Sequence, residues 1–346
     1  MAGALFDRVV AVLFGRGEAD PPEEDAALVA ELTDQIVDTV EPKVRAHRRY
    51  RQKLEPCVRA TMAHLRQIGR TPVATLPLAR AHWADEPCLR AFFARGEDIP
   101  EFLGRSKELR AFFQDPANAG VPEAFGLLAM RREDKTVFAP RYVNDMLMED
   151  VTQTTVNFSG HRLVGLAPDE AQTRREVGRR IVLRLAQVAL GRILEIDRKG
   201  IAQEQQNSYL ATRLRFLKLA RDGAQGIVDD PTTIASQIAE VQQQLDQAVR
   251  DTIEVKSTLV TLDGYIAQIE AVFGQPAEHV SLSHTPLRLD RMNVKVPEGS
   301  DDAQQVLELA ELRVGDRLDA VIAFARCART DVPAPKDLLA QAERYL

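Results

Sequence analysis

Residues 234–273 read IASQIAEVQQQLDQAVRDTIEVKSTLVTLDGYIAQIEAVF, and apolar side chains recur along them at alternating steps of four and three. An average period of 3.5 residues is the heptad pattern of supercoiled helices. One helix over this range would extend about 60 Å at about 1.5 Å per residue, which is too long for an ordinary compact core. The segment therefore predicts a helical arm or docking surface. Its seam positions are Ile234, Ile238, Val241, Leu245, Ala248, Thr252, Val255, Leu259, Leu262, Ile266, Ile269 and Phe273.

The preceding region offers this seam a partner within the same chain. Residues 168–221 are helical in pattern, and Leu210, Leu214 and Leu217 form an apolar stripe near their end. A short loop follows, and an Asp-Pro pair then gives a typical helix start. Two helices joined by such a loop predict an antiparallel helical hairpin. A coiled coil between two chains is the alternative.

The remaining segments make the predicted fold mainly α with small antiparallel β elements, in the α+β class. Residues 125–167 predict three or four short strands, because the charged run at 131–135 and the Ser159-Gly160 pair have the composition of turns. A tight turn at Gly315-Asp316 predicts a second β-hairpin, with a helix as the alternative because Ala and Leu are common there. The sequence leaves open whether the two β regions share one sheet.

The predicted organisation divides the chain into five segments. They are an N-terminal amphipathic segment and linker (1–20), a helical domain (21–124), a small antiparallel β region (125–167), the long helical hairpin or coiled-coil arm (168–275), and a C-terminal β-containing region that ends in a short helix (276–346). Within the helical domain, Pro42 and Pro56 predict a break or a kink, since each removes a backbone donor.

Composition restricts the class of protein. The chain has 346 residues, a hydrophobic fraction of 45% and a charged fraction of 28%, which is typical of a globular protein. The three cysteines are odd in number and widely spaced, which predicts buried thiols in a reduced, cytoplasmic protein. No apolar run approaches the ~20 residues that a bilayer requires. The amphipathic N-terminal segment favours packing on the body, with peripheral attachment to a membrane as the alternative.

Candidate chemistry in the sequence is sparse. No phosphate-binding loop, HExxH sequence, nucleophile elbow or calcium-binding loop is present, and neither a cofactor nor a metal ion is expected. His161 follows a turn in the β region and is the candidate catalytic base, if Asp145 or Asp150 orients its ring. An exposed histidine at a strand end is the structural alternative.

Two Arg-rich stretches are candidate anion-binding faces. The first contains Arg45, Arg48, Arg49 and Arg51, and the second contains Arg175, Arg179, Arg180 and Arg184. Such stripes bind phosphate groups of nucleic acid or acidic lipid. The alternative is a solvated face whose charges pair with acids elsewhere in the chain, and the net charge of −6 gives no support to general nucleic-acid binding.

Three functional hypotheses follow, in order of preference. The first is a non-enzymatic interaction or scaffold protein that holds a protein partner, or a second copy of itself, through the coiled-coil arm. The second is an anion-recognition protein that binds nucleic acid or an acidic membrane surface through the Arg-rich faces. The third is an enzyme with its site near His161. No resemblance to a known family supports any of them.

Overall fold

The computed structural model describes residues 22–143, 146–223, 231–297, 305–315 and 319–333. The helices are α1 (Pro22–Val40), α2 (Tyr50–Arg70), α3 (Pro87–Phe92), α4 (Asp98–Arg105), α5 (Lys107–Gln114), α6 (Glu170–Gly223), α7 (Pro231–Ser257), α8 (Leu262–Phe273) and α9 (Pro276–His279). The strands are β1 (Thr75–Pro77), β2 (Glu123–Val143), β3 (Met146–Ala167), β4 (Val280–Leu289), β5 (Gln305–Val314) and β6 (Asp319–Ala328). The predicted α+β class is confirmed.

Two compact units contain these elements, and each draws on separate stretches of the chain. One comprises Thr61–Arg184 with the described parts of Met1–Leu28 and Pro276–Leu346, and the other comprises Val29–Ala60 and Leu185–Gln275. The five sequence-based segments are a linear division of the chain, and that division stays a prediction. The N-terminal segment (1–20) and the C-terminal helix lie outside the described residues. Among the described helices, none is both long enough and apolar enough to span a bilayer.

The first unit is organised around a six-stranded sheet. Its strands follow the order β3-β2-β6-β5-β4 with antiparallel neighbours, and β1 pairs in parallel with β6. The β2–β6 ladder joins the two β regions that the sequence left separate, with Glu123 opposite Ala328 and Met130 opposite Val321. The predicted hairpin across residues 315–316 is the β5–β6 pair.

The prediction of three or four short strands in residues 125–167 is wrong, because two long strands occupy this region. The charged residues at 131–135 continue β2 and form no turn, because two of their side chains form ion pairs with residues far along the chain. Arg132 pairs with Glu311 at 3.1 Å, and Asp134 pairs with Lys295 at 2.6 Å. Gly160 lies within β3, where its φ of +63° is a conformation that glycine adopts without strain.

Both faces of the sheet are covered. Because side chains alternate along a strand, neighbouring residues such as Leu127 and Leu128 enter different apolar clusters. The Leu128 cluster is shared with α3, α4 and α5, whose buried side chains are Leu89, Ile99, Leu103 and Leu109. The Leu127 cluster includes Val177 from the first part of α6. This packing holds the α3–α5 segment against β3.

In the second unit, the later part of α6 packs on α7. Leu210, Leu214 and Val241 are buried together, with Leu217, Ile238, Leu245 and Ala248 against them. A polar pair continues this line, since the Asn207 amide donates to the Thr252 hydroxyl at 2.8 Å. One turn further along, Glu204 of α6 and Lys256 of α7 form an ion pair. Later residues of α6 contact earlier residues of α7, so the two helices run in opposite directions.

The seam does not form one uninterrupted helix, and that part of the prediction is wrong. Helix α7 ends at Ser257, and α8 begins at Leu262, with the Thr261 hydroxyl accepting the Gly264 N–H as an N-cap. A Cβ at Gly264 would meet the Thr258 carbonyl oxygen at 1.7 Å, so the break depends on a residue without a side chain there. At Pro42 the predicted break is present, but Pro56 lies inside α2.

Candidate functional site

His161 lies on β3 in the first unit, against the α3–α5 segment. Its Nε2 is 2.9 Å from the carbonyl oxygen of Phe92. Because a carbonyl only accepts, a neutral ring keeps its proton on Nε2 and its lone pair on Nδ1. The ring stacks on Phe93 with a centroid distance of 4.7 Å and meets the edge of Phe102 at 6.0 Å. Sequence reasoning found this histidine but not its aromatic surroundings.

The environment of His161 favours the neutral imidazole. Burial lowers its pKa, and the Phe92 carbonyl and the charge of Asp98 only partly oppose that effect. The ring lines an open groove of about 670 Å³. Most of the other lining side chains are aromatic or charged, among them Phe102, Phe158, Arg105 and Glu108. A neutral histidine bound to a carbonyl and packed between phenylalanines stabilises the junction of β3 with α3.

Of the two carboxylates considered for His161, only Asp150 lies in the described residues, and it does not reach the ring. Asp150 lies on the same strand, eleven residues earlier, which at about 3.3 Å per residue is on the order of 35 Å of strand. Asp145 lies outside the described residues. Within the part of the chain that the structure describes, no group of three or more His, Cys, Asp or Glu side chains could hold a metal ion. Among the described residues, no carboxylate forms a hydrogen bond with the His161 ring, and Asp98 acts on it only through its charge.

The first Arg-rich stretch is partly neutralised by carboxylates of α1. Arg45 binds Asp38 with Nη2 2.7 Å from Oδ2, and Arg51 binds Asp34 at 2.5 Å. Burial raises the pKa of Asp34, but the hydrogen bonds from Arg51 and Tyr50 outweigh it, so the pKa is lowered. The two remaining candidates in this stretch, Arg48 and Arg49, are exposed.

The second Arg-rich stretch is paired in the same manner. Arg179 and Arg180 both bind Glu176, at 2.6 and 3.1 Å, and Arg180 also binds Glu108 at 2.9 Å. Arg175 and Arg184 are half-buried. Most of the charge on this face is therefore matched inside the protein, and little of it is available to a phosphate group.

The predicted seam residues are divided among three elements. Ile234, Ile238, Val241, Leu245, Ala248, Thr252 and Val255 lie on α7, Leu259 lies in the connection, and Leu262, Ile266, Ile269 and Phe273 lie on α8. The buried positions of α8 are the seam residues Ile266, Ile269 and Phe273 together with Val272. Asp263 at the start of α8 pairs with Lys53 at 2.6 Å and with His47 at 3.2 Å.

Sequence reasoning missed a second apolar face on α6. Its members are exposed, and we call them the outer face of α6: Leu194, Ile201, Tyr209, Phe216 and Leu219. At about 100° per residue, all of them lie within about 80° of Ile201, whereas Leu210, Leu214 and Leu217, which pack on α7, lie about 140–180° away. The spacing of seven between Leu194 and Ile201 was the available sequence signal.

The thiols are not part of any reactive centre. Cys57 and Cys327 are buried, and burial raises the pKa of each to about 12. Burial also raises the pKa of the half-buried Cys88 to about 11. A nucleophilic cysteine needs a lowered pKa, so these three are structural.

Comparison with known proteins gave no match among family models, curated proteins or solved structures. Function is therefore inferred from the geometry of this chain.

Proposed function

We propose that this chain is a non-enzymatic interaction protein that acts through α6 and α7, which form an antiparallel coiled-coil arm. The observation that carries the proposal is the outer face of α6. A helix that packs on one neighbour needs one apolar face, and additional exposed apolar side chains of this size mark a contact with another molecule. Leu194 and Ile201 are 59% and 49% exposed.

The inner packing of the pair supports a coiled-coil arm. The buried Leu214 and Val241 are seam residues from the two helices, and the heptad period of α7 places further apolar residues along the same line. The half-buried Asn207 and the buried Thr252 fit a register-setting polar contact, a role that buried polar residues have in coiled coils. Such a pair stays folded while its outer faces remain available.

The charges around the first part of the outer face favour a protein as the partner. Glu195 and Lys199 pair at 2.9 Å beside Leu194, and Glu204 and Lys256 pair beyond Ile201. An apolar patch bordered by both signs of charge is the usual arrangement of a protein–protein contact with a polar rim. A border of positive charges alone, by contrast, would favour a polyanion as the partner.

A substitution at Ile201 tests this proposal. In Ile201→Glu a carboxylate is placed at the centre of the outer face, and in the matched control Ala202→Glu the same charge is added at the next exposed position, about 100° around the helix. The full chain and both variants are tagged, checked for folding by circular dichroism, and used to capture partners from the native lysate.

The proposal predicts a stoichiometric protein partner that binds the intact chain and the control, and is lost with Ile201→Glu. Light scattering on the purified proteins shows whether that partner is a second copy of the chain. Equal recovery with all three proteins would contradict the proposal, as would loss with Ala202→Glu alone.

A further inference from the structure

The far part of the outer face combines exposed apolar side chains with positive charge. Tyr209, Phe216 and Leu219 are 62%, 70% and 66% exposed. Residues 205–221 contain no Asp or Glu, and they carry four basic residues: Arg213, Arg215, Lys218 and Arg221. The surroundings of this patch therefore differ from the mixed charges around Leu194 and Ile201.

The charge of this patch is not cancelled by its helical neighbour. Over the described part of the chain, no ion pair involves Arg213, Arg215 or Lys218. The first part of α7, residues 231–245, contains a single charged residue, Glu240. Arg213, Arg215 and Lys218 are therefore available to an anionic surface.

Helix geometry places the charges at the borders of the apolar strip. At about 100° per residue, Arg215 lies about 100° to one side of Phe216 and Arg213 lies about 60° to the other. Helices that lie in a membrane interface have this arrangement, with apolar side chains in the acyl boundary and long basic side chains reaching outward to lipid phosphates. Tyrosine is common at the same depth, since its ring is apolar and its hydroxyl is polar.

We propose that the far part of the outer face of α6 docks on an anionic bilayer surface, with Phe216 and Leu219 in the acyl boundary and Arg213, Arg215 and Lys218 on lipid phosphates. This inference rests on the proposed function, in that the arm is the interacting element, and it adds a membrane as a second binding partner. Stacking on single-stranded nucleic acid would use Tyr209 and Phe216 but leave Leu219 without a role.

Vesicle flotation with the full chain tests the inference. Vesicles of phosphatidylcholine alone are compared with vesicles that contain about one-third phosphatidylserine, which carries the negative surface charge. One variant removes the charges (Arg213→Gln, Arg215→Gln and Lys218→Gln), and a second removes the apolar contacts (Phe216→Gln and Leu219→Gln). The matched control removes three exposed charges outside α6 and outside both Arg-rich stretches, in Arg59→Gln, Arg70→Gln and Arg95→Gln.

The intact chain and the control are expected to bind the anionic vesicles and not the neutral ones. Each lost charge weakens binding about fivefold, so the three-charge variant binds about a hundredfold more weakly. The apolar variant loses binding as well, because electrostatic attraction alone does not insert the helix. Binding also falls as salt is raised.

Several results would overturn the inference: no binding of the intact chain, equal binding of all variants, loss only in the control, or tighter binding to a single-stranded oligonucleotide with the same variant dependence. Failure here is distinguishable from failure of the proposed function, since the lysate experiment at Ile201 uses a different part of α6 and needs no lipid.

Discussion

The hydrogen bond between the half-buried Asn207 and the buried Thr252 gives a sharp test of how α6 packs on α7. The Thr252 hydroxyl accepts the Asn207 amide at 2.8 Å and donates to the Ala248 carbonyl at 2.7 Å. Thr252 is 8% exposed, so water does not readily replace a lost partner. Substituting Thr252→Val keeps the shape of the side chain and removes both functions of the hydroxyl.

The expected cost follows from the contacts. A buried amide N–H left without its acceptor costs about 1–3 kcal/mol. The methyl group that replaces the hydroxyl gains up to about 0.8 kcal/mol by its burial. The net destabilisation of the pair is therefore about 1–2 kcal/mol. A second substitution, Asn207→Leu, removes the orphaned amide, and the double variant is expected to recover most of the loss.

Hydrogen exchange of the α7 amides is the appropriate assay, because two compact units need not unfold in one transition. Thr252→Val should raise exchange across α7 by about 5–30-fold. Thr212→Val is the matched control, since its hydroxyl makes the same bond to a carbonyl four residues earlier but is exposed, and it should change stability by less than about 0.5 kcal/mol. Unchanged protection in Thr252→Val, or strictly additive effects in the double variant, would refute the packing described above.

Three further predictions concern the first unit and the thiols. Iodoacetamide should leave Cys57, Cys88 and Cys327 largely unmodified at pH 8 and label all three in urea; rapid native labelling of Cys57 would contradict the burial. Because burial lowers the His161 pKa, the unfolded chain binds that proton more tightly, and stability should fall as pH drops below about 6.5. His161→Gln should reduce this dependence of stability on pH. If the urea midpoint changes with pH in the variant as it does in the original chain, the prediction is wrong. Leu128→Ala should cost about 2–5 kcal/mol in urea unfolding, and a cost below 1 kcal/mol would disprove its core position.

The parts of the fold that sequence predicted are those fixed by local periodicity. The 3.5-residue period of α7 and the alternation around the β5–β6 turn each specify one element and its apolar side. The continuation of β2 through residues 131–135 depends instead on Glu311 and Lys295, which lie far along the chain. The break before α8 depends on the close approach of the Thr258 carbonyl to Gly264. The first contact leaves no local pattern, and the second is marked in the sequence only by Gly264 and the Thr261 N-cap.

The candidate sites were predicted less well for a related reason. His161 was matched with carboxylates close in sequence, whereas its partners are Phe92 and Phe93, about seventy residues earlier. The sequence around Arg180 does not show that it pairs with Glu108, because Glu108 lies on a separate helix. The spacing of seven between Leu194 and Ile201 indicates the outer face of α6. The sequence analysis misses it because it assigns the apolar residues of a helix to a single face.

Site-specific photo-crosslinking in cells tests most directly whether the outer face of α6 is a binding surface. A photoreactive phenylalanine derivative is placed at Leu194 or at Ile201, and at Ala239 as an exposed control on α7. We expect the same discrete protein adduct from both α6 positions and none from Ala239. The absence of an adduct from both α6 positions, or equal yields from all three, would contradict the assignment of this chain as an interaction protein that acts through α6.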